Sequence, residues 1–420
     1  MKLSDDEMLM YDGKRGEVWQ KVIRSVVQYG EIFEAERLVP LQGRPHLVLS
    51  VGARTLRPTF SMLEKLVDCG ITSFEHFTVN PRPVDYKNIS YSLPERLLNM
   101  FIFSDQQRYE NLLDRFGLSS RSSFSCACYL EELNNVPAFG SNLAWSESSA
   151  VVYANSCLGA RSNRNSGGID FLCNALGKAP LFGLLKDENR SADYVIELDA
   201  DKLPDAQMLG GAIGKVVVDK VPYIINLDRH LVDMGHPDVL DYLKDLGAAA
   251  ASSGSVGLFH VENVTPEAQR FGRDLVRSDA KRLVVSDEFL DEVYNGYRSA
   301  SKEKKRRPAQ CILGCPHFSL RQARCWLERI SESLALANRR KAAMDVILCA
   351  SPGIGKHFSE NERTKLRHSR IHLTSICPLA HMNNPITSRR MVITNSNKLR
   401  TYTSAFYYRD DELLQRIIHG

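Results

Sequence analysis

The sequence predicts an α/β protein, with parallel or mixed sheets flanked by helices and more than one packed unit. Three observations carry this expectation. Short apolar runs of strand type alternate with amphipathic stretches of helical period in the first third of the chain, and again in the last third. Helix starts are marked by capping boxes, in which Ser4, Ser319 and Ser359 each precede an acid or amide side chain by three residues (Glu7, Gln322, Glu362). A chain of 420 residues, 43% hydrophobic and 25% charged, has material for two or three cores.

Taken in order, the capping box at Ser4 opens a helix from about residue 5 toward residue 29, where Gly30 is expected to stop it. Residues 46–51 read as a strand, 56–69 as an amphipathic helix and 74–79 as a second strand, which together make a βαβ unit. Parallel sheets place functional groups in the loops at the carboxyl ends of strands. His46 and Asn80 lie at such edges. A helix is expected over 94–117, and another over 150–157, with Ser148 or Ser149 as its cap and Gly159 as its stop. Strands at 194–198 and 221–225 flank a helix near 206–213, and an Ala-rich helix at 240–251 precedes a strand at 256–261 and a helix after Pro266.

The dense charge run at 302–307 reads as a solvated linker. Beyond it, strands at 310–313, 344–349, 371–376 and 391–393 alternate with helices opened by Ser319 and Ser359. Sub-domains are expected at 1–135, 136–300 and 308–420. Basic and acidic residues number 54 and 50 and are mixed along the chain, without the basic stripe that nucleic acid would need. The first seventeen residues lack the positive patch and apolar run of an export signal, and no segment approaches a membrane span of about 20 apolar residues. A soluble, cytoplasmic protein is expected. Ten cysteines in such a chain argue for burial, metal or redox roles rather than a disulfide framework.

The stretch from Trp145 to Gly168 is built for chemistry. A buried helix delivers a polar loop carrying Arg161, Asn163, Arg164 and Asn165 ahead of two glycines. Guanidinium binds carboxylate through two parallel charge-assisted hydrogen bonds, so this loop suits a small anion. The wording WSESSAVVYANS-LGARSNRNSGG resembles the signature of the aconitase X family, cofactor-dependent hydro-lyases related to aconitase. The resemblance continues through residues 183–192, 247–268, 314–320 and 394–398, and so covers nearly the whole chain.

The resemblance implies an aconitase-like multi-domain core. It implies Cys126, Cys315 and Cys377 as ligands of an iron–sulfur cluster, 2Fe-2S or 4Fe-4S; from sequence alone these three are too far apart for a zinc ribbon or a CxxC pair. An iron with a vacant coordination position would stabilise departing hydroxide. Arg161 or Arg164 would clamp the substrate carboxylate, aided by Asn163, Ser148, Ser149, His46, Asn80, Asn395 and Ser396. Lys398 matches the family's TNSGK lysine; read from the residues themselves, Glu147 and the Asp187–Glu188 pair are acid/base candidates. Two departures stand out: Asn397 where glycine is usual, and Leu399 to Tyr402 in place of Tyr-Ala-His-Tyr. The chain stops about twenty residues after this segment, so the swivelling domain of aconitases is expected as a separate small subunit. Dehydration of cis-3-hydroxy-L-proline is the expected activity, and dehydration of mevalonate 5-phosphate the alternative. A non-catalytic subunit keeping the fold, and a mononuclear metal hydrolase using His46, His260 and His317, are readings of other classes.

Overall fold

A computed structural model gives the fold and describes residues 1–49, 52–53, 56–231, 235–300 and 307–420. Ser4 caps α1 (Asp5–Tyr11) as its sequence predicts: the Glu7 amide donates to Ser4 Oγ at 3.4 Å and the Ser4 amide donates to Glu7 Oε2 at 2.8 Å. The single helix expected to residue 29 is two, because Gly13 and Gly16 take φ of 83° and 100° ahead of α2 (Glu17–Ile32). Gly30 does not stop α2. It is small for packing, since a Cβ there would meet Met1 at 2.3 Å and Pro180 at 2.8 Å.

After β1 (Leu38–Pro40), β2 (His46–Leu47) and β3 (Thr78–Val79) pair in parallel across α3 (Arg57–Asp68). The expected βαβ unit is therefore present with shorter strands; residues 50 and 51 of the first lie outside the described residues. The helix expected over 94–117 is also two, α4 (Leu93–Ile102) and α5 (Gln106–Phe116), and α4 has its own capping box at Ser92 and Glu95. Next come β4 (Asn142–Leu143), α6 (Ser148–Cys157), β5 (Arg161–Ser162), α7 (Gly167–Leu176) and β6 (Lys178–Pro180). β4 pairs with β5 and β6 with β1. Val26, Leu63, Leu113 and Phe171 bring α2, α3, α5 and α7 into one core.

A four-stranded parallel sheet follows, in the order β10-β7-β8-β9. Its elements are β7 (Ala192–Asp199), α8 (Ala206–Val217), β8 (Pro222–Ile225), α9 (Pro237–Ser253), β9 (His260–Val261), α10 (Pro266–Phe271), β10 (Val276–Ser286) and α11 (Asp287–Ala300). The Ala-rich α9 lies so close to α8 that a Cβ on Gly210 would be 2.1 Å from the Leu246 carbonyl oxygen. The charge run lies outside the described residues apart from Arg307.

The last third contains β11 (Gln310–Phe318), α12 (Leu320–Leu336), β12 (Asp345–Ala350), α13 (Glu360–His368), β13 (Ile371–Thr374), α14 (Pro378–Met382), β14 (Val392–Thr394), α15 (Asn397–Tyr402), β15 (Phe406–Tyr407) and α16 (Asp410–His419). Its five parallel strands run β13-β12-β11-β14-β15, so the chain winds outward from β11 and then returns to its other side. Such a reversal opens a crevice at the carboxyl ends of the two central strands. Cys315 lies on β11 and Ser396 just beyond β14, which places both at this crevice. Both boxes predicted for this region form, at Ser319 and at Ser359. Among the described residues, no helix is long and apolar enough to cross a membrane.

Candidate active site

Two distant segments meet at the start of α6. Lys398, in the first turn of α15, donates to the Glu147 carboxylate and, at 3.2 Å, to Ser148 Oγ. Ser149 Oγ also donates to Glu147, at 3.2 Å. The expected serine cap is thus inverted: Glu147 occupies the cap position of α6, and Ser148 and Ser149 turn back to its carboxylate instead of accepting from helix amides. A buried carboxylate needs these donors more than exposed amides need a cap.

Burial alone would raise the Glu147 pKa, but the Lys398 ammonium outweighs it and holds the carboxyl below its ordinary value. The lysine shows the mirror image. Burial would lower it, and Glu147, followed by the thiols of Cys315 and Cys126, pushes it up. The pair is therefore ionised at neutral pH. Lys398 is only 6% exposed, which excludes a merely surface lysine.

His46 sits beside this pair, its ring edge-on to Trp145 with centroids 5.8 Å apart. Its Nδ1 is 2.9 Å from Thr78 Oγ1, and its buried Nε2 has no hydrogen-bond partner among the described residues. Burial lowers its pKa to about 4, so the imidazole is neutral.

The three predicted cysteines converge on the same region. Cys126 Sγ accepts from the His317 amide at 3.3 Å. His317 bridges Ser125 Oγ at 3.0 Å and the Ile376 carbonyl at 2.9 Å, which draws the segments bearing Cys126 and Cys377 onto β11. Ser396 Oγ donates to the Cys315 carbonyl at 2.6 Å and accepts from the Leu399 amide, so the residue that caps α15 also ties Lys398 to β11. Burial pushes the Cys315 thiol up to about 12; Lys398 opposes this and Cys377 adds to it. Burial raises Cys126 as well, with Glu147 and Cys315 contributing. Cys349, on β12, is a further, buried thiol in this neighbourhood and feels Cys315, Cys377 and Cys126. Gly314, at φ +87°, permits this approach, because a Cβ there would fall 1.9 Å from the Cys349 carbonyl oxygen.

Among the described residues, no three His, Cys, Asp or Glu side chains stand close enough to share a single metal ion. Thiols are the donor type that an iron–sulfur cluster takes, and Cys126, Cys315 and Cys377 are the side chains here that could hold one. The mononuclear hydrolase set does not assemble. His260 is held by the Arg190 carbonyl at 2.8 Å, and His317 by Ser125 and Ile376.

Family models for the aconitase X first domain and second domain match residues 1–188 and 192–295. The chain belongs to the aconitase X family. The crystal structure of Thermococcus kodakaraensis aconitase X in its holo-form superposes with a TM-score of 0.80, at 27% identity, over 99% of each chain. The phosphomevalonate dehydratase large subunit of Methanothermobacter thermautotrophicus is 33% identical over 85% of this chain and 82% of its own. The cis-3-hydroxy-L-proline dehydratase of Pseudomonas aeruginosa is 32% identical over 76% of this chain and 52% of its own. This aconitase X chain is a dehydratase, a carbon–oxygen lyase.

Within the aconitase X polar loop the two arginines part company. Arg164 is mostly buried; burial lowers its pKa, opposed by Tyr402 and by Glu147, so its guanidinium feels the site carboxylate. It also donates to the Ala251 carbonyl at 3.3 Å. Arg161 turns away to the Leu185 carbonyl and the exposed Asp187. Asn163 pins the 182–184 turn, donating to the Phe182 carbonyl at 3.0 Å and accepting from the Leu184 amide at 2.7 Å. Asn80 accepts from the Leu49 amide at 3.3 Å, and Asn395 donates to Asp410 at 2.9 Å, leading away from Lys398.

Sequence alone missed the support behind this loop. Arg190 forms a buried ion pair with Glu267 at 2.7 Å and donates to the carbonyls of Asn155, Ala160 and Leu184, clamping the exit of α6. The unusual Asn397 also has a physical place. Its amide side chain donates to Ala249, Ser252 and Ser253, and a Cβ on Gly211 would lie 3.1 Å from its Cγ. Gly211, on the facing helix α8, thus leaves room for the Asn397 side chain.

Proposed function

We propose that this chain is the large subunit of a two-subunit dehydratase acting on mevalonate 5-phosphate. The observation that carries the choice of substrate is the extent of the likeness. Relatives named as phosphomevalonate dehydratase large subunits match over most of both chains, whereas the hydroxyproline dehydratases match over about half of theirs. The large-subunit names also support a separate small subunit.

In this reading Arg164 grips the substrate carboxylate. Glu147, ionised and aimed by three donors, takes the proton from the carbon next to that carboxylate; the C–H electron pair becomes the double bond as the hydroxyl leaves from the adjacent carbon. Lys398 stays protonated and steadies the negative charge around Glu147 and the carboxylate. The neutral His46, with its free Nε2 lone pair, accepts a hydrogen bond from substrate. Cys126, Cys315 and Cys377 would hold an iron–sulfur cluster, which when bound supplies a Lewis acid for the departing hydroxyl.

The test is dehydration of mevalonate 5-phosphate and of cis-3-hydroxy-L-proline by the anaerobically prepared chain with its small subunit. Turnover of the phosphorylated acid at a kcat/KM at least about a hundredfold higher supports the reading; a preference for hydroxyproline overturns it.

A further inference from the structure

A cavity of about 850 Å³ lies at the carboxyl ends of β12 and β13, lined by the loop 351–356, α13, residues 370–375 and the loop at Lys87 and Asn88. In open α/β sheets this is where ligands bind. The lining carries Lys87, Lys356, Arg363, Arg367 and Arg370 and no acidic side chain. Three carboxylates just outside it neutralise part of this charge. Glu360 pairs with Arg367 at 2.6 Å and Arg363 at 3.9 Å, Asp345 pairs with Arg370 at 3.0 Å, and Asp85 accepts from Asn88 at 2.7 Å and from Thr374 Oγ1 at 2.8 Å. The Lys87 and Lys356 ammoniums have no counter-ion among the described residues, so the cavity keeps two positive charges in excess.

An independent observation marks the same cavity. Ser351, in its lining, is 2% exposed, and its buried Oγ has no hydrogen-bond partner among the described residues. Buried hydroxyls are nearly always paired, so an orphan in a cavity lining calls for a ligand oxygen. The loop itself is held in place: Arg363 donates to the carbonyls of Lys356 at 3.1 Å and Gly355 at 3.5 Å. Two uncompensated ammoniums and a free hydroxyl match the two charges and several acceptor oxygens of a phosphate group better than a carboxylate, which has one charge and two oxygens. A lone phosphate would fill little of the volume, and Ile354, Leu366 and Leu373 give the remainder an apolar wall. We infer that this cavity binds a phosphorylated small molecule, its phosphoryl group taken by Lys87, Lys356 and Ser351 and its organic part by the apolar wall. The lining ends at Ser375, two residues before Cys377. The phosphoryl group therefore belongs either to the dehydratase substrate, reaching over from the candidate active site, or to a second molecule bound beside it.

The experiment titrates the full chain with inorganic phosphate, against chloride at equal ionic strength, by calorimetry and by the rise in melting temperature. Saturable binding at one site per chain is expected. Lys356 and Lys87 are exposed, so Lys356→Gln and Lys87→Gln leave the fold intact. Each removes a charge-assisted donor and should weaken phosphate binding by about fivefold to tenfold. Ser351→Ala should weaken it too, while the melting temperature without phosphate stays the same or rises, because an unpaired buried hydroxyl is removed. Binding no stronger than that of chloride, or binding that both lysine variants keep within twofold, overturns the site. Turnover by the assembled enzyme separates the two sources. Phosphate that competes with mevalonate 5-phosphate, with KM raised in Lys356→Gln, assigns the cavity to the substrate's phosphoryl end, an arm that rests on the proposed function above. Phosphate that binds without competing, with KM unchanged, assigns it to a second phosphorylated molecule. An enzyme inactive on mevalonate 5-phosphate overturns the proposed substrate, while the titration alone decides the site.

Discussion

Lys398 and Glu147, 251 residues apart in sequence, form a buried ion pair at the first turn of α6, with Ser148 and Ser149 bonded to the same carboxylate. Removing one partner leaves an uncompensated buried charge, which costs about 3–5 kcal/mol. Lys398→Met and Glu147→Leu should each destabilise the chain on this scale in urea unfolding, and the double variant should lose clearly less than their sum. Additive losses would mean the two groups are not coupled.

The pair also sets a pH limit. Without Lys398, burial of Glu147 is opposed only by the smaller effects of His46 and the Ser149 hydrogen bond, and its pKa rises. The acidic limb of kcat/KM should therefore move to higher pH in Lys398→Gln than in wild type. An unmoved limb would place the titrating base elsewhere.

Arg164 and Arg161 should separate in kinetics. A hydrogen-bonded charge contact to substrate carries about 1.5–3 kcal/mol, so Arg164→Ala should lower kcat/KM by about 10- to 100-fold. Arg161→Ala removes only an exposed pair with Asp187 and should stay within threefold of wild type. Equal losses would contradict the assignment of Arg164 alone.

Asp170 gives a stability test away from the chemistry. Burial raises its pKa to about 8, against the hydrogen bond from Asn165, at 2.9 Å, that lowers it. The folded state then holds a proton that the unfolded chain releases near the ordinary aspartate value of 3.8, so this group's stabilising contribution is full below that value and declines as pH rises toward 8. Asp170→Asn carries no such charge. Its melting temperature should gain on wild type steadily from pH 5 to pH 8.5, and a constant difference would contradict the buried neutral acid.

Much of this molecule is legible in the sequence where the signal is local. A capping box needs only two side chains three residues apart, so Ser4, Ser319 and Ser359 mark their helices correctly. Strand extents fare worse: residues 74–79 and 256–261 read as strands, yet only Thr78–Val79 and His260–Val261 form ladders, with Phe77 making an isolated bridge, because a ladder depends on a neighbour supplied from elsewhere. β10 carries charged residues over 277–282 and only three consecutive apolar residues, Leu283 to Val285, so its signal is short. In the site, the resemblance pointed to Lys398 and the cysteines and the residues themselves to Glu147 as one of several carboxylates, but roles set by distant partners stayed hidden. His317 as the staple between Cys126 and Ile376, Glu267 as the partner of Arg190, and Gly211 as the space for Asn397 all appear only once the chain is folded.

The proposed general base is the Glu147 carboxylate held by Lys398. The most direct measurement is turnover of mevalonate 5-phosphate by Glu147→Gln in the assembled two-subunit enzyme. The account predicts that substrate binding stays within about fivefold while kcat falls by 10²–10⁴, the range for loss of a general base. A variant that turns over within threefold of wild type would contradict it.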